Sequence, residues 1–111
     1  MKTKLNLVNR LIIPEMLPKQ GGLIEQTIVN EIMAIVRLTS DEIKEYNLKD
    51  GPNRTILFDP RKAGIEGEYD FKKQHTDLLK EAAAIYIKAL DKKKMVTQNI
   101  LNTVLKIEKM R

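Results

Sequence analysis

Apolar side chains recur at helical spacing through most of the chain. Near its start, the apolar residues on one side of such a helix are Leu5, Val8, Leu11 and Ile12. They predict a first helix of about two turns that ends before Pro14, because proline disfavours the helical conformation of the residue preceding it. A second helix is predicted over residues 23–38, after Gly21 and Gly22, and its broad apolar stripe indicates burial against more than one neighbour.

The sequence from Thr39 to Glu42 has the pattern of a capping box. In this motif the threonine hydroxyl accepts from the amide of the third helical residue, and the glutamate carboxylate accepts from the threonine amide. The pattern predicts the start of a third, short helix that runs to about Asn47. The turn-forming residues 50–53 should end this segment.

The next two stretches have a period of two, which is typical of strands. Apolar and polar positions alternate in residues 54–59, and apolar and acidic positions alternate in residues 65–71. The acidic positions are Glu66, Glu68 and Asp70. With the loop of residues 60–64, the two stretches predict a β-hairpin at about residues 54–71. Its apolar face should lie on the helices, because an isolated hairpin is marginally stable in water.

The longest periodic segment covers residues 72–90 and predicts a long helix. Its apolar positions form a nearly continuous seam: Leu78, Leu79, Ala82, Ala83, Ile85, Tyr86, Ala89 and Leu90. The small alanines of this seam would allow another helix to approach closely. After a short polar connection, Thr97 is the expected N-cap of a last helix whose apolar side faces the seam. These two helices should pair as an antiparallel hairpin.

Together these elements predict an α+β fold. We expect one domain over residues 1–111, a mainly helical bundle of four to five helices with one β-hairpin inserted before the C-terminal helical pair. This order of elements is like that of a winged-helix module with an added helical pair. The length of 111 residues, with 42% hydrophobic and 32% charged positions, fits a single soluble globular domain.

The composition excludes several kinds of chemistry. The chain has no cysteine, which excludes thiolate nucleophiles, iron–sulfur clusters and cysteine-bound zinc. No apolar run approaches the roughly 20 residues of a membrane-spanning helix, and polar residues interrupt the segment behind the basic start. We therefore expect a cytoplasmic protein with no membrane association and no cofactor.

The net charge of +5 is concentrated at the C-terminal end. Residues 1–87 contain 13 basic and 13 acidic residues, whereas residues 88–111 contain 7 and 2. The lysines of this basic end that could contact a nucleic acid or an acidic partner are Lys88, Lys92, Lys93, Lys94, Lys106 and Lys109. Lysines near a helix C-terminus also complement the helix dipole and keep a surface soluble, which is the simpler interpretation.

Residues suited to catalysis are few. His75 is the only histidine and Ser40 the only serine, and Ser40 lies within the capping motif. We expect His75 to be a surface residue at the start of the long helix. Glu66 and Glu68 could share a proton or hold a divalent cation, but their alternation with apolar positions favours solvent-facing carboxylates opposite basic neighbours. We therefore predict no catalytic, cofactor-binding or metal-binding residue.

Part of the sequence resembles a group of small uncharacterised proteins encoded in tailed-phage and prophage genomes. The resemblance lies in residues 10–22, which read RLIIPEMLPKQGG, in the helical residues 28–36, and in residues 40–47, which read SDEIKEYN. The order of the elements is also similar. The resemblance implies a phage or prophage context and supplies no reaction, ligand or functional residue.

We interpret the chain as a non-enzymatic protein-interaction factor, with an accessory role in a phage or prophage as one context. The alanine-containing seam could receive a helix of a protein partner, and a homo-oligomer could form through the helical pair of residues 72–107. The alternative is nucleic-acid binding of the winged-helix kind through the basic C-terminal helices, although the acidic third helix and hairpin strand would repel phosphates. A hydrolase that uses the hairpin carboxylates is a third hypothesis.

Overall fold

The computed structural model describes residues 2–110, apart from the side chain of Arg54. The helices in this part of the chain are α1 (Leu7–Met16), α2 (Leu23–Val36), α3 (Ser40–Glu45), α4 (Lys73–Lys92) and α5 (Gln98–Glu108). The strands are β1 (Lys2–Leu5), β2 (Lys49–Asp50), β3 (Ile56–Leu57) and β4 (Gly67–Asp70). The α+β, mainly helical fold is confirmed.

The first helix continues through Pro14, contrary to the prediction that it ends before this residue. Asn6 and Asn9 start the helix at Leu7 with a capping box, in which each side chain accepts from the other residue's amide at 2.9 Å. Pro14 then removes one hydrogen bond from the last turn. Burial of Met16 keeps this turn packed on the core and offsets the loss.

The remaining helix starts agree with the sequence. Thr39 Oγ1 accepts from the Glu42 amide at 3.1 Å, and Glu42 Oε1 accepts from the Thr39 amide at 3.0 Å. Thr97 caps α5 by accepting from the Ile100 amide at 3.2 Å. Helix α4 packs against α5, and α2 contacts α1, α4 and β4. The predicted packing of α2 against more than one neighbour is therefore confirmed.

The strand pairing differs from the predicted hairpin. Strand β4 pairs antiparallel with β1, and β3 pairs antiparallel with β2, so residues 54–59 and 65–71 do not pair with each other. Between these two stretches the chain turns after Asp59, whose carboxylate accepts from the Arg61 amide at 3.0 Å. The strand at residues 2–5 was not predicted, because four residues are too short to show a period, and the assignment of Leu5 to the first helix is wrong.

Complementary charge explains why β1 is the partner of β4. In the register of the pair, Lys2 lies opposite Asp70 and Lys4 lies opposite Glu68, and opposite charges across a strand pair are favourable. Leu5 at the end of β1 is buried in the core. The acidic residues of β4 are exposed and lie opposite basic residues of a partner strand, as expected, but that strand is β1.

The core is built mainly around α1, which contacts α2, α4, α5 and β1. The largest fully buried side chains come from several elements: Phe71, Leu5, Leu7, Ile13, Ile32, Leu79, Ile107, Val36 and Thr103. Because both ends of the chain contribute to this set, the bundle is complete only when β1 and α5 are both in place.

Candidate functional site

An apolar groove lies beside α4, between this helix and the ends of α1 and α2. Its lining residues are Met16, Pro18, Glu25, Leu78, Glu81, Ala82, Ile85, Tyr86 and Ala89, around a volume of about 280 Å³. Ile85 in its wall is 65% exposed. The first turn of α2, which contributes Glu25 to the groove, also exposes Leu23 and Ile24 to 85% and 78%. The groove and the first turn of α2 therefore form the apolar surface that a candidate contact site needs.

The two sides of α4 have different environments. Leu79 and Ala83 face the core and are fully buried, whereas Ile85 and Ala89 line the groove. The groove positions 78, 82, 85 and 89 recur at intervals of four and three residues, which places them along one side of the helix. Ala82 is buried within the chain, whereas Ala89 is exposed. Because Ala89 carries only a methyl group, another helix can approach α4 closely at this position.

Two hydrogen bonds hold the wall opposite α4. Gln26 Nε2 donates to the carbonyl oxygen of Pro18 at 3.1 Å and ties the segment after α1 to α2. The Tyr86 hydroxyl donates to Glu15 Oε2 at 3.5 Å. Burial raises the pKa of Tyr86, and the charge of Glu15 adds to this effect, so the phenol remains a donor at neutral pH. The groove is therefore held by contacts within the chain.

Four charged residues follow the exposed side of α4 next to the groove, and we call them the α4 strip: Asp77, Glu81, Lys88 and Lys92. The side chain of none of them pairs with another residue in the described part of the chain. Residues four apart are neighbours on a helix surface, so the strip itself places acid beside acid and base beside base. Opposite charges at helical spacing come from outside the strip, since Lys73 and Lys80 lie four and three residues from Asp77, and Asp91 lies three residues from Lys88.

The six lysines predicted as contact residues form two groups. Exposed residues at the end of α4 and in the following turn are Lys88, Lys92, Lys93 and Lys94. The residues near the end of α5 are Lys106 and Lys109, which line a cleft of about 280 Å³ together with Lys2 and Lys4 of β1. Most of α5 lies between the two groups. The structure therefore does not bring the six lysines into one patch.

Lys106 is engaged within the molecule. Its Nζ donates to Glu66 Oε2 at 2.6 Å and to Asn9 Oδ1 at 2.9 Å. The hydrogen bond from Lys106 lowers the pKa of Glu66. Asn9 in turn donates from Nδ2 to Thr103 Oγ1 at 2.8 Å, and both of these residues are buried. Lys106 thus completes a polar contact between α1 and α5, and Glu66 offsets its charge.

His75 is buried, with 4% of its surface exposed, and the predicted surface position is wrong. Its Nδ1 accepts from the Lys72 amide at 3.1 Å, and its Nε2 lies 2.9 Å from Glu31 Oε1. Because Nδ1 accepts, the hydrogen of the neutral ring is on Nε2, which donates to Glu31. The ring also contacts Phe71 edge-on, with centroids 6.5 Å apart. The geometry gives His75 a structural role that ties the start of α4 to α2.

A buried arginine joins three helices, and sequence reasoning missed it. Arg10 Nε donates to the carbonyl oxygen of Val36 at 3.1 Å, and one Nη donates to that of Arg37 at 2.8 Å. Both Nη atoms donate to the Glu42 carboxylate. The guanidinium carbon also lies 5.0 Å from the centre of the Tyr69 ring. The available signal was the polar pair at positions 9 and 10, which interrupts the apolar run of α1.

The Arg10–Glu42 pair is strongly coupled. The hydrogen bond from Arg10 lowers the pKa of Glu42 to about 2, and the amide of Thr39 adds to the effect. The same hydrogen bond raises the pKa of Arg10. Arg10 also lines a cleft of about 490 Å³, but its four hydrogen bonds all go to acceptors of the chain. This pair therefore positions α3, and four of the five N–H groups of the guanidinium are engaged within the chain.

Among residues 2–110, no group of three or more His, Asp or Glu side chains is placed to hold a metal ion. In the same part of the chain, no helix is both long and apolar enough to cross a membrane. Comparisons with protein-family models, with curated proteins and with solved structures give no significant match. The relation to phage proteins therefore stays a prediction.

Proposed function

We propose that this protein is an interaction module that binds an α-helix of another protein chain in the groove beside α4. The observation that carries the proposal is the exposed Ile85 in an apolar groove that the chain itself holds in place. Grooves of this kind bind the apolar side of amphipathic helices through anchors at helical spacing.

The α4 strip defines the chemistry of a helix that would fit. Its acidic residues, Asp77 and Glu81, lie in the N-terminal half of α4, and its basic residues, Lys88 and Lys92, lie in the C-terminal half. A helix antiparallel to α4 meets opposite charges along its whole length when its own N-terminal half is acidic and its C-terminal half is basic. Complementary charge of this kind sets orientation and partner choice.

A peptide-binding measurement tests this function. Two fluorescent, alanine-rich peptides of about 20 residues carry leucines at the apolar positions, with either the acidic-to-basic order of charges or glutamine at the same charged positions. We expect the first peptide to bind about tenfold more tightly in fluorescence polarisation. Ile85→Glu should abolish its binding. Ile65→Glu is the matched control, because Ile65 is 53% exposed and lies outside the groove.

Three results would contradict the proposal. The first is that neither peptide binds to the protein. The second is that both peptides bind with equal affinity, because the α4 strip would then contribute nothing. The third is that Ile85→Glu binds the peptides as well as the unaltered protein does.

Nucleic-acid binding is the second candidate function, and the exposed run Lys92–Lys94 favours it. Against it, Lys106 is paired with Glu66, and Lys2 and Lys4 lie opposite acidic residues. If the run binds duplex DNA, the binding constant should fall steeply with salt, and replacing its three lysines with glutamine should weaken binding. Lack of retention on DNA at low salt would remove this candidate.

A further inference from the structure

We propose that the helix bound in the groove is α4 of a second copy of this chain, antiparallel to the first and centred on Ile85. This inference rests on the proposed function and names its partner. The protein would then be a symmetric homodimer, in which each copy presents the same surface to the other.

The order of charges along α4 is complementary to itself in this arrangement. In a two-fold pair with Ile85 on the axis, residues at equal distances on either side of position 85 lie opposite each other. Glu81 then falls within one residue of the partner's Lys88, and Asp77 falls within one residue of the partner's Lys92. Each of these two pairs of opposite charges occurs twice in the dimer, once on each side of the axis. The like-charge neighbours of the α4 strip thus gain opposite charges on the second helix.

In this arrangement the exposed Ile85 meets the partner's Ile85 on the axis, and the exposed Ala89 lies one helical turn away. Both residues belong, together with Leu78 and the buried Ala82, to a line of apolar positions with the alternating four- and three-residue spacing of a heptad seam. Glu81 and Lys88 each directly precede an alanine of this seam, so both occupy the flanking g position of the heptad. Residues at g positions face each other across an antiparallel pair, and opposite charges there set the orientation.

The groove adds negative charge where the second helix would bring a lysine. Glu25 lines the groove together with Glu81, and Glu15 lies at the hydroxyl of Tyr86. The partner's Lys88 would approach this acidic end. The two lysines of the α4 strip therefore have a more specific role here than general solubility.

The contact is small for a protein–protein interface, and small interfaces are typical of weak complexes. Helix α4 has 20 residues, a length of about 30 Å, and contact along one such helix is smaller than the about 800 Å² per partner of a standard interface. We therefore expect a concentration-dependent dimer with a dissociation constant in the micromolar range.

Sedimentation equilibrium of the whole protein tests this arrangement over roughly three decades of concentration. Glu81→Lys and Lys88→Glu should each weaken the dimer about tenfold, because each places like charges opposite each other on both sides of the axis. The double variant E81K/K88E should restore the dimer. Ile85→Glu should give a monomer, and Ile65→Glu should dimerise like the unaltered protein. Circular dichroism checks that each variant is folded.

The outcomes separate this inference from the proposed function. A protein that stays monomeric throughout but binds the acidic-to-basic peptide overturns the homodimer and leaves the function standing. A dimer that persists in Ile85→Glu overturns the assignment to this groove. A dimer that the single charge changes weaken and the double variant does not restore overturns the antiparallel arrangement. A monomer that binds neither peptide overturns both proposals.

Discussion

The guanidinium of Arg10 lies where the last carbonyls of α2 and the carboxylate of Glu42 meet. Carbonyls at a helix C-terminus carry partial negative charge, so they and Glu42 together compensate a buried cation. If the carboxylate is removed, the arginine remains buried with only part of this compensation. This residue pair is therefore expected to contribute to the stability of the contacts among α1, α2 and α3.

Replacing Glu42 with glutamine should change how stability depends on pH. Because the pKa of Glu42 is about 2 in the folded protein and ordinary when unfolded, its ionised form stabilises the fold above about pH 4.5. This stabilisation is lost as the pH falls from about 5 to about 2. We expect Glu42→Gln to lower the free energy of unfolding by about 2–3 kcal/mol at pH 7 and by much less near pH 2, measured by urea denaturation.

Glu45→Gln is the matched control, since Glu45 is an exposed acid on the same helix. It should follow the acid transition of the unaltered protein. If the free energy of unfolding of Glu42→Gln differs from that of the unaltered protein by the same amount from pH 7 to pH 2, the assigned role of the carboxylate is contradicted.

The residues that sequence reasoning placed correctly are those whose partners are close in the chain. The Thr39–Glu42 capping box and the Thr97 cap each join residues three positions apart. The sequence motif therefore already contains both partners of the hydrogen bond. The environments of Arg10 and His75 are set by residues 26 and 44 positions away, respectively. No local pattern could reveal that these polar side chains are buried.

At the level of elements, periodicity identified two strand segments and misassigned their partners. An alternating pattern fixes which side of a strand is apolar, but it does not choose between neighbours. The acidic side of β4 finds its basic complement in β1, a segment too short to be recognised. The predicted hairpin failed because the better partner lies at the other end of the sequence.

Charge exchange between β1 and β4 tests this pairing. Lys4→Glu places an acid opposite Glu68, so it should lower the free energy of unfolding by about 0.5–1 kcal/mol. The double variant K4E/E68K restores opposite charges and should recover most of that loss, measured by thermal denaturation. If the effects of the two single changes simply add, Lys4 and Glu68 do not interact across the pair.

For the molecule as a whole, the hydrophobic pattern predicted the fold class because it fixes how many helices need a common core. The apolar seam of α4 also predicted that another helix contacts it, and α5 makes this contact on the side of α4 that faces the core. The pattern could not show that Ile85 and Ala89 would remain outside this contact. That division depends on where α1 and α2 end around α4, which only the assembled bundle determines.

Thermal stability should depend on protein concentration if the homodimer forms. Association adds stability only to the folded state, so the Tm should rise by about 2–4 °C for each tenfold increase in concentration. Added salt should reduce this rise, because it screens the exposed charge pairs. The Tm at each concentration is measured by circular dichroism in cells of several path lengths, because the chain has no tryptophan for a fluorescence readout. Ile85→Glu should show the same Tm at every concentration.

The contact between Asn9 and Thr103 joins residues 94 positions apart, and this has a consequence for synthesis on the ribosome. Translation delivers β1 and α1 first, whereas β4 and then α5 follow only about 60 and 90 residues later. In a nascent chain that stops before α5, the side-chain amide of Asn9 lacks its acceptor, Thr103 Oγ1, and α1 lacks the helix that packs on it. The native structure of residues 2–110 should therefore form in one step after α5 has left the exit tunnel, and chaperones would have access to the unfinished bundle until then.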